Sequence, residues 1–218
     1  MNNLLLSSAY LPPVEYLAWI YWYSAQKNSR IFIEQHDHYI KQTYRNRCTI
    51  FAANGPTDLT IPVEKPSHPN APLYEIRISN HGNWRHLHWN ALTSAYRSSP
   101  FFDYYADDFA PFYEKKWLFL IDYNEALLQL VCKNMGFTPQ LARTDAFGIS
   151  GAIEPSDQTL DLRETIHPKH AVSSGFQPQP YYQVFALKHG FQPNLSCIDL
   201  LFQMGPESLL TLQAHNQY

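Results

Sequence analysis

The sequence predicts an α/β fold in one domain, with a mixed β-sheet flanked by helices and an N-terminal strand-helix-strand unit. Three observations lead there. Short apolar runs such as Leu4-Leu5-Leu6 and Ile31-Phe32-Ile33 alternate with stretches whose apolar residues recur at i, i+3, i+4 and i+7. Asn54-Gly55-Pro56 is a turn signal between two β-rich segments. The length of 218 residues suits one domain with sizeable excursions, so residues 1–218 are read as a single unit.

Leu4 to Leu6 reads as a short buried strand that Pro12-Pro13 stops, because proline suits the first turn of a helix. A helix from Val14 to Ala25 follows, with Val14, Leu17, Ala18 and Tyr21 on one face; Asn28-Ser29 breaks it before the strand Arg30 to Ile33. Cys48 to Phe51 and Leu59 to Ile61 form an antiparallel pair. The proline-rich stretch Glu64 to Pro72 is a surface loop leading to a strand at Leu73 to Ile78. Helices are expected over Trp84 to Arg97, Asp107 to Lys115 and Leu118 to Met135, the last closed by Gly136. Thr138 to Ala146 returns as a strand, and Ile153 to Pro180 is a long irregular excursion. Ser196, three residues before Asp199, resembles a capping box ahead of a final helix that Gly205-Pro206 ends.

Composition narrows the partners. Charged residues make up 16% of the chain and aromatic residues 15%, so polar chemistry falls on few charges and on Tyr, His, Asn and Gln. A net charge of -3 gives no field to attract a duplex, and nucleic acid is not an expected partner. The first residues lack a basic start, and their apolar run ends at Ser7, too short for a signal-peptide core. No apolar run reaches the roughly 20 residues needed to span a bilayer. The expectation is a cytoplasmic protein without membrane insertion, whose three dispersed cysteines are buried free thiols.

The densest polar segment runs from Glu34 to Arg47. If Lys41 to Arg47 is extended, the two-residue period puts Lys41, Thr43, Arg45 and Arg47 on one face, a cationic stripe suited to a small anion. A solvated face or structural ion pairs would read the same way. Tyr44 and Asn46 would face the other side. Glu34 and His36 are candidates for a general base and a ligand contact, and His88, the one ionisable group on an apolar helix face, for an acid or hydrogen-bond donor. A satisfied, half-buried histidine is the plainer account of His88. The Glu34, His36, His38 spacing is generic, so no metal or other cofactor is expected. No Gly-rich phosphate loop, Gly-x-Ser-x-Gly elbow or His-Glu-x-x-His is present.

Tyr10-Leu11-Pro12-Pro13-Val14-Glu15-Tyr16, Tyr44-Arg45-Asn46-Arg47, Leu59-Thr60-Ile61-Pro62-Val63, Trp84 with His88, Tyr96 with Pro100-Phe101-Phe102, and Leu195-Ser196-Cys197-Ile198-Asp199-Leu200-Leu201-Phe202 stand in that order. Together they resemble the WbqC-like family across nearly the whole chain. The resemblance implies a link to O-antigen and other surface-polysaccharide gene clusters, where transfer of glycine or another acyl group to a sugar has been suggested. The chain departs from the longer members, which have Trp where Pro13 stands, Gly where Glu15 stands, and a longer region in place of Leu160 to Tyr181. The resulting expectation is a transferase acting on an anionic sugar, sugar nucleotide or acyl donor. Lys41, Tyr44, Arg45, Asn46, Arg47 and His36 would bind the ligand, and Glu34 and His88 would move protons. The alternative is a non-catalytic accessory protein holding a polysaccharide precursor or a protein partner.

Overall fold

The computed structural model describes residues 2–148, 158–170 and 174–213. The chain opens as expected, with strand β1 (Asn2–Ser7), helix α1 (Val14–Ser24) and strand β2 (Ser29–Glu34). β1 and β2 pair in parallel, Leu4 opposite Ile31 and Ser7 opposite Glu34. Both strands are buried, which is why they read as continuous apolar runs rather than alternating ones. The hairpin β3 (Arg47–Ala52) and β4 (Gly55–Thr60) follows. Its turn places Gly55 at φ +107°, a conformation that side chains avoid. Parallel and antiparallel pairing therefore both occur, but in two separate sheets.

Helices α2 (Trp84–Tyr96), α3 (Phe102–Glu114) and α4 (Leu120–Asn134) form the middle of the chain. Strands β5 (Leu141–Arg143) and β6 (Gln158–Asp161) complete a four-stranded, all-parallel sheet of order β5-β2-β1-β6. The chain thus steps outward from β1 through β2 to β5, then returns to the far side of β1. This reversal creates a switch point between β1 and β6, the place where open α/β sheets offer a crevice. Short α5 (Ala186–His189), α6 (Cys197–Met204) and α7 (Ser208–Gln213) end the described chain. Among the described residues no helix is long and apolar enough to cross a membrane.

Four expectations change. Leu73 to Ile78 is not a strand: Leu73 and Tyr74 donate their backbone N–H groups to Asp37 and Gln35 carbonyls at 2.9 and 3.1 Å, which bends Leu73–Glu75 into a 3₁₀ turn. α3 starts at Phe102, five residues earlier than expected, and carries Pro111 inside it. β6 lies within the stretch read as irregular; as a mostly exposed edge strand, Gln-Thr-Leu-Asp has no apolar run to announce it. Lys41 to Asn46 is a series of turns, with Gln42 in the left-handed region at φ +61°, so the cationic stripe does not form. Lys41 is exposed, Arg45 is buried and Arg47 begins β3.

The segments that carry the resemblance are stitched to one another. Leu11, buried with φ +39°, turns the chain between β1 and α1 at a conformation unfavourable for a branched residue. Its carbonyl accepts from Ser196 Oγ at 2.8 Å, the Pro12 carbonyl accepts from Cys197 N–H at 2.7 Å, and Val14 N–H donates to Leu195 at 2.9 Å. Tyr10 N–H donates to Tyr44 at 2.8 Å. Ser196 also caps α6, but the capping box is only half made. Ser196 N–H donates to Thr49 instead, and the Asp199 carboxylate accepts from Tyr181 at 2.7 Å and Gln183 at 3.2 Å. A second tie holds the excursion: the buried Glu15 carboxylate accepts from the Ser174 hydroxyl and from Asn194 Nδ2 at 3.0 Å, while Trp19 Nε1 donates to Ser174 at 2.8 Å.

Candidate functional site at the carboxyl edge of the parallel sheet

Because all four strands run the same way, Ser7, Glu34, Thr144 and Asp161 come together at or just beyond the strand ends. Glu34 is fully buried and takes four donors. One oxygen accepts from His36 N–H at 2.8 Å and Thr144 Oγ1 at 2.7 Å, the other from Gly148 N–H at 2.7 Å and Arg163 Nη1 at 3.1 Å. Arg163 in turn grips Asp161 through Nε at 3.0 and 3.1 Å and Nη2 at 2.7 Å. Burial alone would raise the Asp161 pKa; the hydrogen bonds from Arg163 outweigh it and lower that pKa, and the same bonds raise that of Arg163.

The second half of the cluster centres on Arg45, which is 3% exposed. Its Nη2 donates to Asp37 and, at 3.0 Å, to Ser7 Oγ; its Nη1 lies 3.4 Å from Thr43 Oγ1; Glu164 approaches to 3.6 Å. Its Nε–H is buried and has no hydrogen-bond partner among the described residues. Asn124, on α4, fixes the backbone beneath by donating to the Arg45 carbonyl at 2.8 Å and to Ser8 Oγ at 3.1 Å. Ser7, Ser8, Tyr16, Thr43, Arg45 and Arg163 line a crevice here, at the switch point between β1 and β6. Its free volume is about 10 Å³, room for one water-sized group.

The expected site residues divide between this crevice and other places. Tyr44 lines the crevice, and burial pushes its hydroxyl pKa up to about 12. His36 is not in its lining: its Nε2 is 3.1 Å from the Thr144 carbonyl and its ring meets Tyr74 edge-on at 5.3 Å. The His38 ring turns away to the Asn70 carbonyl at 3.0 Å, so Glu34, His36 and His38 do not converge. Asn46 bonds the Ile61 carbonyl through Nδ2 at 2.8 Å, and Arg47 pairs across the hairpin with Asp58 at 3.3 Å. Arg45 and Arg47 thus both make ion pairs, the alternative that the sequence left open beside a ligand-binding stripe.

His88 belongs to a different neighbourhood. Its partners are the Thr60 carbonyl, to which it donates, and the Tyr10 hydroxyl, 3.0 Å from Nδ1, not Glu34 or Tyr44 of the polar segment. Tyr10 also meets the Tyr113 hydroxyl at 3.0 Å, and Trp84 packs on the imidazole at 5.1 Å. Burial lowers the His88 pKa to about 4, against a smaller opposing effect of the Thr60 bond, so the ring is neutral near pH 7. Ser7, Asp37, Asn124 and Thr144 are site residues that the sequence reading did not assign. The signal available for several of them was polarity just past the end of an apolar strand.

Comparison with known proteins adds one relative and a family. The uncharacterized protein Rv1507c of Mycobacterium tuberculosis (strain ATCC 25618 / H37Rv) is 26% identical over 189 residues, covering 78% of this chain and 81% of that protein. No solved structure matches. The model of the WbqC-like protein family matches residues 8–183, a span that contains the stitched opening, the Tyr44 to Arg47 turn, the hairpin, α2 and the ion-pair cluster, and the chain belongs to that family.

Proposed function

We propose that the crevice between the ends of β1 and β6 receives one polar group of a small acyl donor, for transfer of that acyl group to a sugar in surface-polysaccharide (O-antigen) assembly. The observation that carries this reading is Arg45, whose unpartnered Nε–H sits in a buried guanidinium that lines the crevice. An unsatisfied buried donor costs on the order of 1–3 kcal/mol, which an acceptor oxygen on a ligand would recover. The charge balance selects among ligands. Glu34, Asp37, Asp161 and Glu164 surround Arg45 and Arg163, so the cluster disfavours a polyphosphate and favours a ligand that pairs a carbonyl with an ammonium or hydroxyl group. A glycyl group supplies both. In the transfer, the bond from the acyl carbon to its donor breaks as a bond to the sugar oxygen or nitrogen forms, and the acceptor's proton leaves with the donor group.

In this reading Arg45 and Tyr44, which line the crevice, neighbour the ligand, His36 and the exposed Lys41 stand outside its lining, and Asn46 and Arg47 hold the hairpin. Glu34 positions Arg163 rather than acting as a base, since its oxygens already serve four donors. That same saturation, with His88 held in the core, favours the accessory reading as the second: a protein that holds the acyl compound without turning it over. The experiment is an NMR titration with glycinamide, which carries an ammonium group and a carbonyl. Binding is expected to weaken at least tenfold in Arg45→Lys, which keeps the charge but loses the fork, and to persist in Arg47→Ala; a UDP-hexose should bind no more tightly than glycinamide. Glycinamide that does not bind the parent protein, or binds Arg45→Lys equally, refutes the reading. Turnover of an aminoacyl thioester with a sugar acceptor separates transferase from accessory protein.

A further inference from the structure

We infer that a cavity of about 490 Å³ beside the Leu73–Glu75 turn, which is bonded to the Gln35–Asp37 segment, is a binding site for an uncharged pyranose ring. The inference deepens the proposed transfer by placing the sugar acceptor, and only the acceptor's role rests on that reading. Chain segments that line the cavity are tied to one another and to their neighbours by backbone hydrogen bonds. Glu64 N–H donates to Arg77, Ile78 N–H to Leu118, and Leu120 N–H to Ile76, each at 2.9 Å, so three chain segments are laddered into its walls. Its volume falls in the range of roughly 300–1,000 Å³ typical of small-molecule sites.

The lining chemistry selects the ligand. Tyr74, 39% exposed, and the half-buried Phe119 present aromatic rings, surfaces on which the C–H face of a sugar ring can lie. The Arg77 guanidinium stands 5.6 Å from the Phe119 centroid. Glu64, Glu75, Lys65 and Arg77 contribute two carboxylates and two cations to the same cavity. Hydroxyl groups need acceptors and donors together, and this set offers both with no net charge; a phosphate or a polycation would meet as much repulsion as attraction. The site also communicates with the crevice by contact. Tyr74 lines the cavity while its ring meets His36 at 5.3 Å, and the backbone N–H groups of Leu73 and Tyr74 hold the carbonyls of Asp37 and Gln35. A sugar seated against Tyr74 therefore lies along the strand end whose Asp37 pairs with Arg45.

Saturation-transfer NMR with a panel of methyl hexopyranosides, their 2-acetamido derivatives and a methyl hexuronide tests this on the full chain. The expected result is transfer to ring protons of at least one neutral glycoside, reduced at least fivefold in Tyr74→Ala and Arg77→Gln, with the hexuronide no better than its neutral parent. Both replaced side chains are exposed, and circular dichroism checks that the variants fold. Arg45→Lys should leave the signal unchanged. If glycosides bind but only Arg45→Lys removes the signal, the sugar occupies the crevice and the cavity inference fails while the crevice reading survives. If no panel member binds, or binding is indifferent to Tyr74 and Arg77, the inference is overturned. Loss of glycinamide binding alone would overturn the crevice reading and leave the cavity standing.

Discussion

At the carboxyl edge of the parallel sheet, Glu34, Asp37, Arg45 and Arg163 form ion pairs, whereas behind the hairpin Tyr10, His88 and Tyr113 are buried as neutral groups that share hydrogen bonds. Both networks join residues far apart in sequence. They differ in what they leave over. The charged network keeps an unpartnered guanidinium N–H beside a crevice; the neutral one spends the polar atoms of His88 on Tyr10 and Thr60 and encloses them in aromatic rings. The lesson is that a buried polar residue in a family motif is not thereby a reacting one. His88 ties the opening loop to the end of β4, and Arg45 has a bond to give.

The comparison can be broken most sharply at Arg45. Arg45→Ala leaves Asp37 without its buried partner, and we expect a loss of about 3–5 kcal/mol in denaturant unfolding. A loss below about 1 kcal/mol would mean that the cluster is solvated and the contrast is false.

A second test uses proton linkage. The folded His88 pKa of about 4 lies below the unfolded value of 6.5, so the unfolded chain binds more protons between them, and this contribution is present above pH 6.5 and lost as pH falls through 4. Asp199 does the opposite: burial, only partly opposed by bonds from Tyr181 and its neighbours, raises its pKa from 3.8 to about 6. Its contribution is present below pH 3.8 and lost as pH rises through 6. Each amounts to about 3 kcal/mol, and between pH 4 and 6 they offset one another. Asp199→Asn should therefore lose about 3 kcal/mol relative to the parent as pH falls from 6.5 to 4, and His88→Phe should show the reverse trend. Parallel pH profiles for the two variants would show that these groups are not buried as described.

The smallest expected effect sharpens the boundary of the charged cluster. Arg47 and Asp58 are 25% and 47% exposed in their side chains, so Arg47→Ala should shift stability by no more than about 0.5 kcal/mol in thermal unfolding. A larger loss would extend the cluster onto the hairpin.

Helices α1, α2 and α4 and the first two strands were legible because their side chains report their surroundings. Leu4 to Leu6 and Ile31 to Ile33 are apolar on both faces, and the apolar face of α2 follows the helical period. β6 was not legible, since an exposed edge strand carries no burial pattern. The cationic stripe failed for a related reason: a two-residue period has meaning only in an extended chain, and Gln42 turns the chain instead. Arg45 stood out in the sequence; its partners did not. Ser7 is 38 residues before it and Glu164 lies after β6, so only the strand order brings them to one edge. His88 stood out for being ionisable on an apolar face, but periodicity cannot say whether the facing wall carries Glu34 or Tyr10.

The tie from Glu15 to Ser174 and Asn194 has a consequence for how this chain diverged. By the resemblance, longer members carry Gly where Glu15 stands and a longer stretch where this chain returns to α6. A glycine offers no carboxylate, so a chain with Gly at that position must anchor the stretch differently; a chain with Glu15 has a buried charge that needs Ser174 and Asn194 within reach. In this chain Glu15→Gly would remove the acceptor shared by Ser174 and Asn194 and free the stretch that they anchor.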